Sequence, residues 1–221
     1  MPAPRMSSTR SHLTRGVWGI LLISCGAAAS DRRAANTHPW DRVVQLGGTC
    51  SGVIFDSRRV LYAGHCGTKF TSAISADGKT IELATCKAQD SGILQGGDSA
   101  SCSSARPMPF PPAELTVLPS GGVAHQARFF GHGSPLGRLG ELREWEGTIR
   151  RVEGERFLRA TVPSYAMCGG DSGGPAFVDG AIVGIASSSR RDRTCNFVET
   201  KNIEVYYTPI EEVFSWLNQE S

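Results

Sequence analysis

Residues 168–175 read Cys-Gly-Gly-Asp-Ser-Gly-Gly-Pro, and this is the most informative stretch of the 221-residue chain. The serine, Ser172, lies among glycines, which predict a tight turn with an exposed hydroxyl. Glycines also allow neighbouring backbone N–H groups to face the same space, as stabilisation of an oxyanion requires. The pattern therefore indicates a nucleophilic serine, and the alternative is a Gly-Ser turn without chemistry.

A second stretch, residues 60–66, reads Val-Leu-Tyr-Ala-Gly-His-Cys and leads a β-rich run into His65. A lone histidine more often has a structural role, but together with a candidate nucleophile it favours a general base. No histidine follows Ser172, because the last one in the chain is His132. This order excludes the α/β-hydrolases and matches a triad in which histidine comes first, the acid next and serine last.

The distribution of short β-rich runs predicts an all-β fold, because Gly, Ser, Asp and Pro separate them throughout. We expect a long surface loop at residues 99–112, whose proline-rich end cannot lie in a central strand. Only the C-terminus is predicted to be helical, with Val213, Phe214, Trp216 and Leu217 on one apolar face. The predicted strands are residues 42–46, 51–55, 59–62, 73–75, 80–85, 114–118, 124–130, 144–151, 156–161, 175–178 and 182–186.

The composition, 40% hydrophobic and 20% charged, excludes a disordered or fibrous chain. The 23 basic side chains slightly outnumber the 21 acidic ones, but three of the basic ones lie in residues 1–25, which contain no acid. The remainder has 20 basic and 21 acidic side chains, so we expect no nucleic-acid partner. No Cys-x-x-Cys pair is present, and we expect neither a metal nor a cofactor.

Residues 1–25 have the pattern of an export signal, with a basic start, a short apolar run and small residues after it. Residues 22–25, Leu-Ile-Ser-Cys, resemble the lipobox of bacterial lipoproteins, in which Cys25 would be lipidated. Residues 27–29, Ala-Ala-Ala, resemble an ordinary cleavage site that would leave Ser30 first. We favour lipidation, and expect a lipid-anchored envelope protein of the outer membrane or periplasm, or a secreted one.

Six cysteines remain when Cys25 is set aside, and an even number in an exported protein predicts up to three disulfides. Six cysteines allow 15 connectivities, and their spacing does not choose among them. They are Cys50, Cys66, Cys86, Cys102, Cys168 and Cys195.

Taken together, these motifs resemble the chymotrypsin/trypsin family of serine peptidases from about His38 to the C-terminus. The resemblance rests on Cys50-Ser51-Gly52, on the Ala-Gly-His-Cys around His65 and on the Gly-Asp-Ser-Gly-Gly-Pro around Ser172. Gly131-His132-Gly133 is similar to a mid-chain motif of the family. The resemblance implies two antiparallel Greek-key β-barrels with a short C-terminal helix, and an active site in the cleft between them.

The implied organisation divides the chain into a signal peptide at 1–25, a linker at 26–37, an N-terminal barrel at 38–119 and a C-terminal barrel with its helix at 120–221. The disulfides implied by the resemblance are Cys50–Cys66 and Cys168–Cys195, which leaves Cys86–Cys102 as a third.

The resemblance also implies residue roles. Ser172 would be the nucleophile, His65 the base that takes its proton, and the N–H groups of Gly170 and Ser172 the oxyanion hole. We expect Glu114 to be the acid, because residues 114–118 match the apolar strand that begins with the family's aspartate. Asp98 is the alternative, ranked second because the polar residues that follow it do not resemble a buried strand.

The substrate pocket can be located in the same way. Ala166 would form its base, and Ser187, Ser189 and Val205 would form its walls. Since none of these residues is charged, we expect cleavage after small or medium apolar residues.

In the family a new N-terminal amine pairs with the residue corresponding to Asp171. Pro39-Trp40 resembles an early Pro-Trp of the family, but no Ile-Val-Gly-Gly precedes it, so another group must compensate that carboxylate.

The expected function is that of a monomeric serine endopeptidase that cleaves protein or peptide substrates through an acyl-enzyme. Two alternatives remain open: a protease-fold binding or adaptor protein with weak or no activity, and a hydrolase of small esters.

Overall fold

The strands of the chain close into two barrels, followed by one helix. The computed structural model describes residues 39–89, 97–108, 110, 113–134, 140–189, 195 and 201–219. The first barrel consists of β1 (Val43–Leu46), β2 (Cys50–Ile54), β3 (Arg59–Tyr62), β4 (Ser72–Ser75), β5 (Thr80–Ala88) and β6 (Ala100–Ser104). The second consists of β7 (His125–Gly131), β8 (Arg143–Arg151), β9 (Leu158–Pro163), β10 (Pro175–Val178), β11 (Ala181–Ser189) and β12 (Asn202–Pro209). The helix is α1 (Ile210–Gln219), and two 3-10 turns span Pro39–Arg42 and Gly64–Cys66.

Every strand pairs antiparallel with its neighbours, and the two barrels have related strand orders. The first runs β1-β2-β3-β6-β5-β4 and the second β10-β11-β12-β9-β8-β7. Pairing of β1 with β4 and of β10 with β7 closes the barrels. The predicted all-β fold of two barrels with a C-terminal helix is thus confirmed, while the domain limit at 119/120 stays a prediction.

Apolar side chains fill three regions, one inside each barrel and one between them. Tyr62 and Leu46 are fully buried inside the first barrel, and Phe129 and Tyr207 inside the second. The region between the barrels contains the following buried residues: Val43, Val53, Phe55, Leu61, Phe130, Phe177, Ile182 and Ile185. Because this third region contains residues of both barrels, it holds one barrel against the other.

The C-terminal helix, which its apolar pattern predicted, packs onto the region between the barrels. Val213, Trp216 and Leu217 are buried there, and Phe214 is partly buried. No helix within the described residues is both long and apolar enough to cross a membrane.

Three elements differ from the sequence-based prediction, and the first is β12, which is absent from the predicted strands. Residues 100–104, expected in a surface loop, form β6 between β3 and β5. The strand has the expected two-residue alternation, with Ala100 and Cys102 fully buried, but its serines conceal that pattern in the sequence. Residues 114–118 are not a strand, and make only an isolated bridge from Leu115 to Ile182.

The structure contains the three expected disulfides. Cys50–Cys66 joins β2 to the turn that carries His65, and Cys86–Cys102 joins β5 to β6. Cys168–Cys195 starts in the segment just before Ser172. The proposed signal and linker, including Cys25, lie outside the described residues.

Candidate functional site

A histidine and a buried carboxylate form the centre of the site. His65 Nδ1 lies 2.7 Å from Asp98 Oδ2, and the backbone N–H of His65 donates to Asp98 Oδ1 at 2.7 Å. The side chain of Asp98 is 1% exposed, whereas that of His65 is 25% exposed. This arrangement fixes the orientation of the imidazole, with its Nδ1 on the carboxylate.

The second barrel holds Asp98 in place. Ser187 Oγ donates to Asp98 Oδ2 at 2.5 Å, and Thr208 Oγ1 donates to the Asp98 carbonyl at 3.2 Å. Burial raises the pKa of Asp98, but the hydrogen bonds from His65 and Ser187 and the charge of His65 outweigh burial. The pKa therefore lies below its ordinary value, and the carboxylate is charged at neutral pH.

The preference for Glu114 as the acid beside His65 is wrong. Glu114 is exposed, and its carbonyl accepts the N–H of Ile182 near the start of β11. Asp98 contacts Ser187 near the other end of that strand, roughly 15 Å away at the usual rise per residue. The preference failed because it relied on residues 114–118 forming a strand and on the polar segment after Asp98 not forming one.

Ser172 lies against the first barrel, next to the turn that carries His65. The Ser51 N–H donates to the Ser172 carbonyl at 2.8 Å. Gly173 has a φ of +83°, and a Cβ there would lie 2.8 Å from the Ala63 nitrogen and still closer to the Ser51 carbonyl. Only glycine permits this approach, which brings the serine beside residues 63–66.

Two N–H groups of the serine turn have no acceptor among the described residues, namely those of Gly170 and Ser172. The neighbouring carbonyls, in contrast, are held. The Ser134 N–H donates to the Gly169 carbonyl at 3.1 Å, and the Gly174 N–H donates to the Asp171 carbonyl at 2.9 Å. In a trans peptide the N–H points opposite to the carbonyl. The N–H groups of Gly170 and Ser172 therefore point away from Ser134 and Gly174, which bond to the carbonyls of the same two peptides.

Arg143 compensates the fully buried Asp171. Its Nη2 lies 2.8 Å from Asp171 Oδ2 and also donates to the Ala166 carbonyl at 3.0 Å. The N–H groups of Gly133 and Cys168 donate to the same carboxylate at 2.6 and 2.7 Å. The cation that compensates Asp171 is therefore Arg143 of β8.

The environment of Asp171 leaves no space for a further side chain. A Cβ at Gly133 would lie 2.5 Å from Asp171 Cγ, so the Gly131-His132-Gly133 segment wraps closely around the carboxylate. Burial raises the pKa of Asp171 to about 6, against the opposing effect of Arg143 and the two backbone donors.

The residues assigned to the substrate pocket are mostly buried. Ala166 is 1% exposed and Val205 is fully buried, both within the core of the second barrel. Met167, which the sequence reasoning did not consider, is also buried, and its Sδ lies 3.9 Å from Tyr207 Oη. Ser187 was assigned to the pocket wall, but its hydroxyl bonds to Asp98. Ser189 ends β11, and its side chain lies outside the described part.

Among the described residues, one group approaches metal-binding geometry, namely Cys50, His65 and Cys66. Both sulfurs belong to one disulfide and cannot act as thiolate ligands. This group therefore does not form a metal site.

Comparisons with known proteins identify the architecture. No family model and no curated protein matches the sequence. Solved structures do match: kallikrein-related peptidase 10 in complex with Zn²⁺ has a TM-score of 0.64 at 22% identity, over 83% of this chain and 96% of that one. Neuropsin, a serine protease from mouse brain, has a TM-score of 0.66 at 21% identity, over 83% and 96%. Human heparin binding protein has a TM-score of 0.66 at 16% identity, over 83% and 93%.

The fold is chymotrypsin-like. In this fold the His65 turn and the Ser172 turn, which the motifs single out, lie next to each other. Arg143 belongs to no motif and precedes its partner Asp171 by 28 residues. The sequence indicated this residue only indirectly, because a buried Asp171 requires a cation as its partner.

The lowered pKa of Asp98 predicts a pH-dependent contribution to stability. Its folded pKa is depressed, so the contribution is complete above the unfolded value of about 3.9 and is lost as pH falls through the folded value. Asp98→Asn should lower the melting temperature at about pH 5, and its difference from wild type should shrink towards about pH 2. Glu114→Gln, which changes an exposed acid, is the control. A difference for Asp98→Asn that stays constant over this range would contradict the assignment.

Proposed function

We propose that this chain is a serine endopeptidase that hydrolyses peptide bonds through an acyl-enzyme intermediate. The observation that carries the proposal is the hydrogen bond between His65 and the buried Asp98, next to the turn of Ser172. An imidazole held by a buried carboxylate is the general base that a serine nucleophile requires.

The proposed reaction begins when Ser172 Oγ attacks the scissile carbonyl while His65 Nε2 takes its proton. Asp98 keeps the proton of the imidazole on Nδ1 and stabilises the imidazolium. The N–H groups of Gly170 and Ser172 would then receive the negatively charged oxygen of the tetrahedral intermediate. His65 returns the proton to the leaving amine, and water hydrolyses the ester by the same route.

The fold alone does not decide between catalysis and binding, since one similar structure is named heparin binding protein. Both alternatives require a cation beside the buried Asp171, and Arg143 supplies it. A serine turn whose carboxylate is already compensated requires no newly released amine, so we propose that the chain is competent without cleavage at its N-terminus. What favours catalysis is the hydrogen bond between His65 and the buried Asp98.

The buried pocket residues support a preference for small apolar side chains. Ala166, Met167 and Val205 belong to the apolar core, and none offers a charge to a lysine or arginine of the substrate. A small-ester hydrolase could use the same triad, and a dependence of rate on the peptide sequence would distinguish an endopeptidase from it.

We also propose that the protein is exported, since three disulfides are typical of proteins in oxidising compartments. Lipidation at Cys25, a bacterial origin of the signal and a monomeric state remain proposals from the sequence.

The proposed triad predicts reaction with a fluorophosphonate probe at Ser172 in the folded, oxidised protein. Asp98→Asn should lower kcat by about 10²–10⁴-fold, because an amide neither holds the imidazole in the required tautomer nor stabilises the imidazolium. Glu114→Gln should change kcat by less than about twofold, because Glu114 lies far from His65. Peptide mapping locates the label, and melting curves confirm that both variants fold. If the wild type stays unlabelled, the adaptor alternative replaces this proposal.

The pocket predicts a graded preference before the scissile bond, with Ala and Val above Leu and all three far above Lys or Arg. Each additional methylene in an apolar pocket changes the activation free energy by only ~1–3 kcal/mol. Met167→Ala should increase cleavage after Leu relative to Ala, because it removes the largest flexible side chain of the three. Profiles of cleaved peptide libraries measure both, and a preference for Arg would reject the pocket assignment.

The Arg143–Asp171 pair predicts reactivity of the chain with an uncleaved N-terminus. Arg143→Gln leaves a buried carboxylate without its cation, so labelling of Ser172 should slow by more than about tenfold. Arg128→Gln is the matched control, because Arg128 pairs with Glu144 at the surface, where ion pairs contribute little. Labelling of Arg143→Gln at the wild-type rate, or activity only after N-terminal cleavage, would show that Arg143 does not replace the amine.

A further inference from the structure

Ser51 occupies an unusual position for a serine of a barrel strand. It lies in β2 of the first barrel and is fully buried, yet its hydroxyl and its N–H bond to the serine turn and its surroundings in the second barrel. Its hydroxyl donates to the Gly170 carbonyl at 2.8 Å and accepts the His132 N–H at 2.8 Å. Its own N–H donates to the Ser172 carbonyl at 2.8 Å.

The two acceptors of Ser51 bracket the Ser172 N–H. The carbonyl of Gly170 belongs to the peptide plane before Asp171, and the carbonyl of Ser172 belongs to the plane after the serine. With both carbonyls held, the plane between them, which carries the Ser172 N–H, cannot rotate freely. Ser51 therefore restricts one proposed oxyanion donor, the Ser172 N–H, through the peptide planes on either side of it. It also bonds to the carbonyl of Gly170, the residue that carries the other donor.

The hydroxyl also connects this turn to the segment around Asp171. The His132 N–H donates to Ser51 Oγ, while the adjacent Gly133 N–H donates to the Asp171 carboxylate. One hydroxyl thus joins the turn of Ser172, the segment that wraps Asp171, and the strand next to the Cys50–Cys66 disulfide beside His65.

We infer that Ser51 is a positioning residue that holds the oxyanion-binding turn of the second barrel in register with the histidine of the first. This inference rests on the proposed function. The carbonyls of Gly169 and Asp171 accept backbone N–H groups, which a side-chain substitution does not remove. The contact from Ser51 Oγ to the Gly170 carbonyl comes from a side chain, so a single substitution can remove it. Without the hydroxyl, the Gly170 carbonyl and the His132 N–H lose their partner in a buried site, and the turn gains alternative orientations.

The test compares Ser51→Ala with Ser75→Ala. Ser75 is also a buried serine of the first barrel, but the hydrogen bonds of its hydroxyl to described residues stay within that barrel, at Asp77 and Lys79. Kinetics are measured with a peptide anilide ending in alanine, with the matching peptidyl aldehyde as a transition-state analogue, and with the fluorophosphonate probe.

Ser51→Ala should lower kcat by about 10- to 100-fold with KM nearly unchanged, and weaken aldehyde binding by a similar factor, because both depend on the oxyanion donors. Ser75→Ala should leave kcat, KM and aldehyde affinity within about twofold of wild type, even if its melting temperature falls as much as that of Ser51→Ala. Equal kinetic effects of the two variants, or a loss in Ser51→Ala confined to KM, would overturn the inference.

Hydrogen–deuterium exchange of residues 168–174 separates this inference from the proposed function, because it needs no activity. Exchange there should be faster in Ser51→Ala than in wild type and unchanged in Ser75→Ala. If the wild type does not react with the probe, the proposed function fails, and the exchange experiment still decides whether Ser51 orders the turn. If Ser51→Ala does not fold, Ser51→Gly, which leaves room for a water molecule, replaces it. Failure of both to fold would make Ser51 a structural residue and reject the inference.

Discussion

The compensation of one buried carboxylate, Asp171, governs the serine turn. A fully buried charge is costly unless it is paired and hydrogen-bonded, and this one receives Arg143 and two backbone N–H groups. The same aspartate precedes Ser172, so any rearrangement of its carboxylate would move the serine and the neighbouring N–H groups. The chain obtains this cation from within its own second barrel, through Arg143 of β8.

Each barrel provides an incomplete part of the site. The first carries His65 and Asp98, while the second carries Ser172 and its turn. The contacts between them run in both directions: Ser187 and Thr208 of the second barrel hold Asp98, and Ser51 of the first holds the serine turn. The apolar region between the barrels supplies the burial that makes these polar contacts strong. Removing a contact should therefore affect the geometry of both halves of the site.

The part of the site predictable from the sequence was the part encoded by local motifs. His65, Ser172 and the barrel architecture follow from short patterns, since glycines and a neighbouring cysteine restrict the backbone there. Glu114 was preferred over Asp98 as the partner of His65 because Asp98 lies just before β6, whose alternation is concealed by small polar residues. Arg143 and Ser51 act through contacts between segments far apart in the chain, and such contacts leave no local pattern.

The most direct test of this account is a crystal structure of the oxidised protein, with its N-terminus uncleaved, after reaction with a peptidyl boronic acid ending in an alanine analogue. The account predicts a bond from boron to Ser172 Oγ and a boronate oxygen that accepts the N–H groups of Gly170 and Ser172, with Arg143 still paired to Asp171. A free Ser172 hydroxyl at saturating boronate, or a boronate oxygen turned away from these N–H groups, would contradict it.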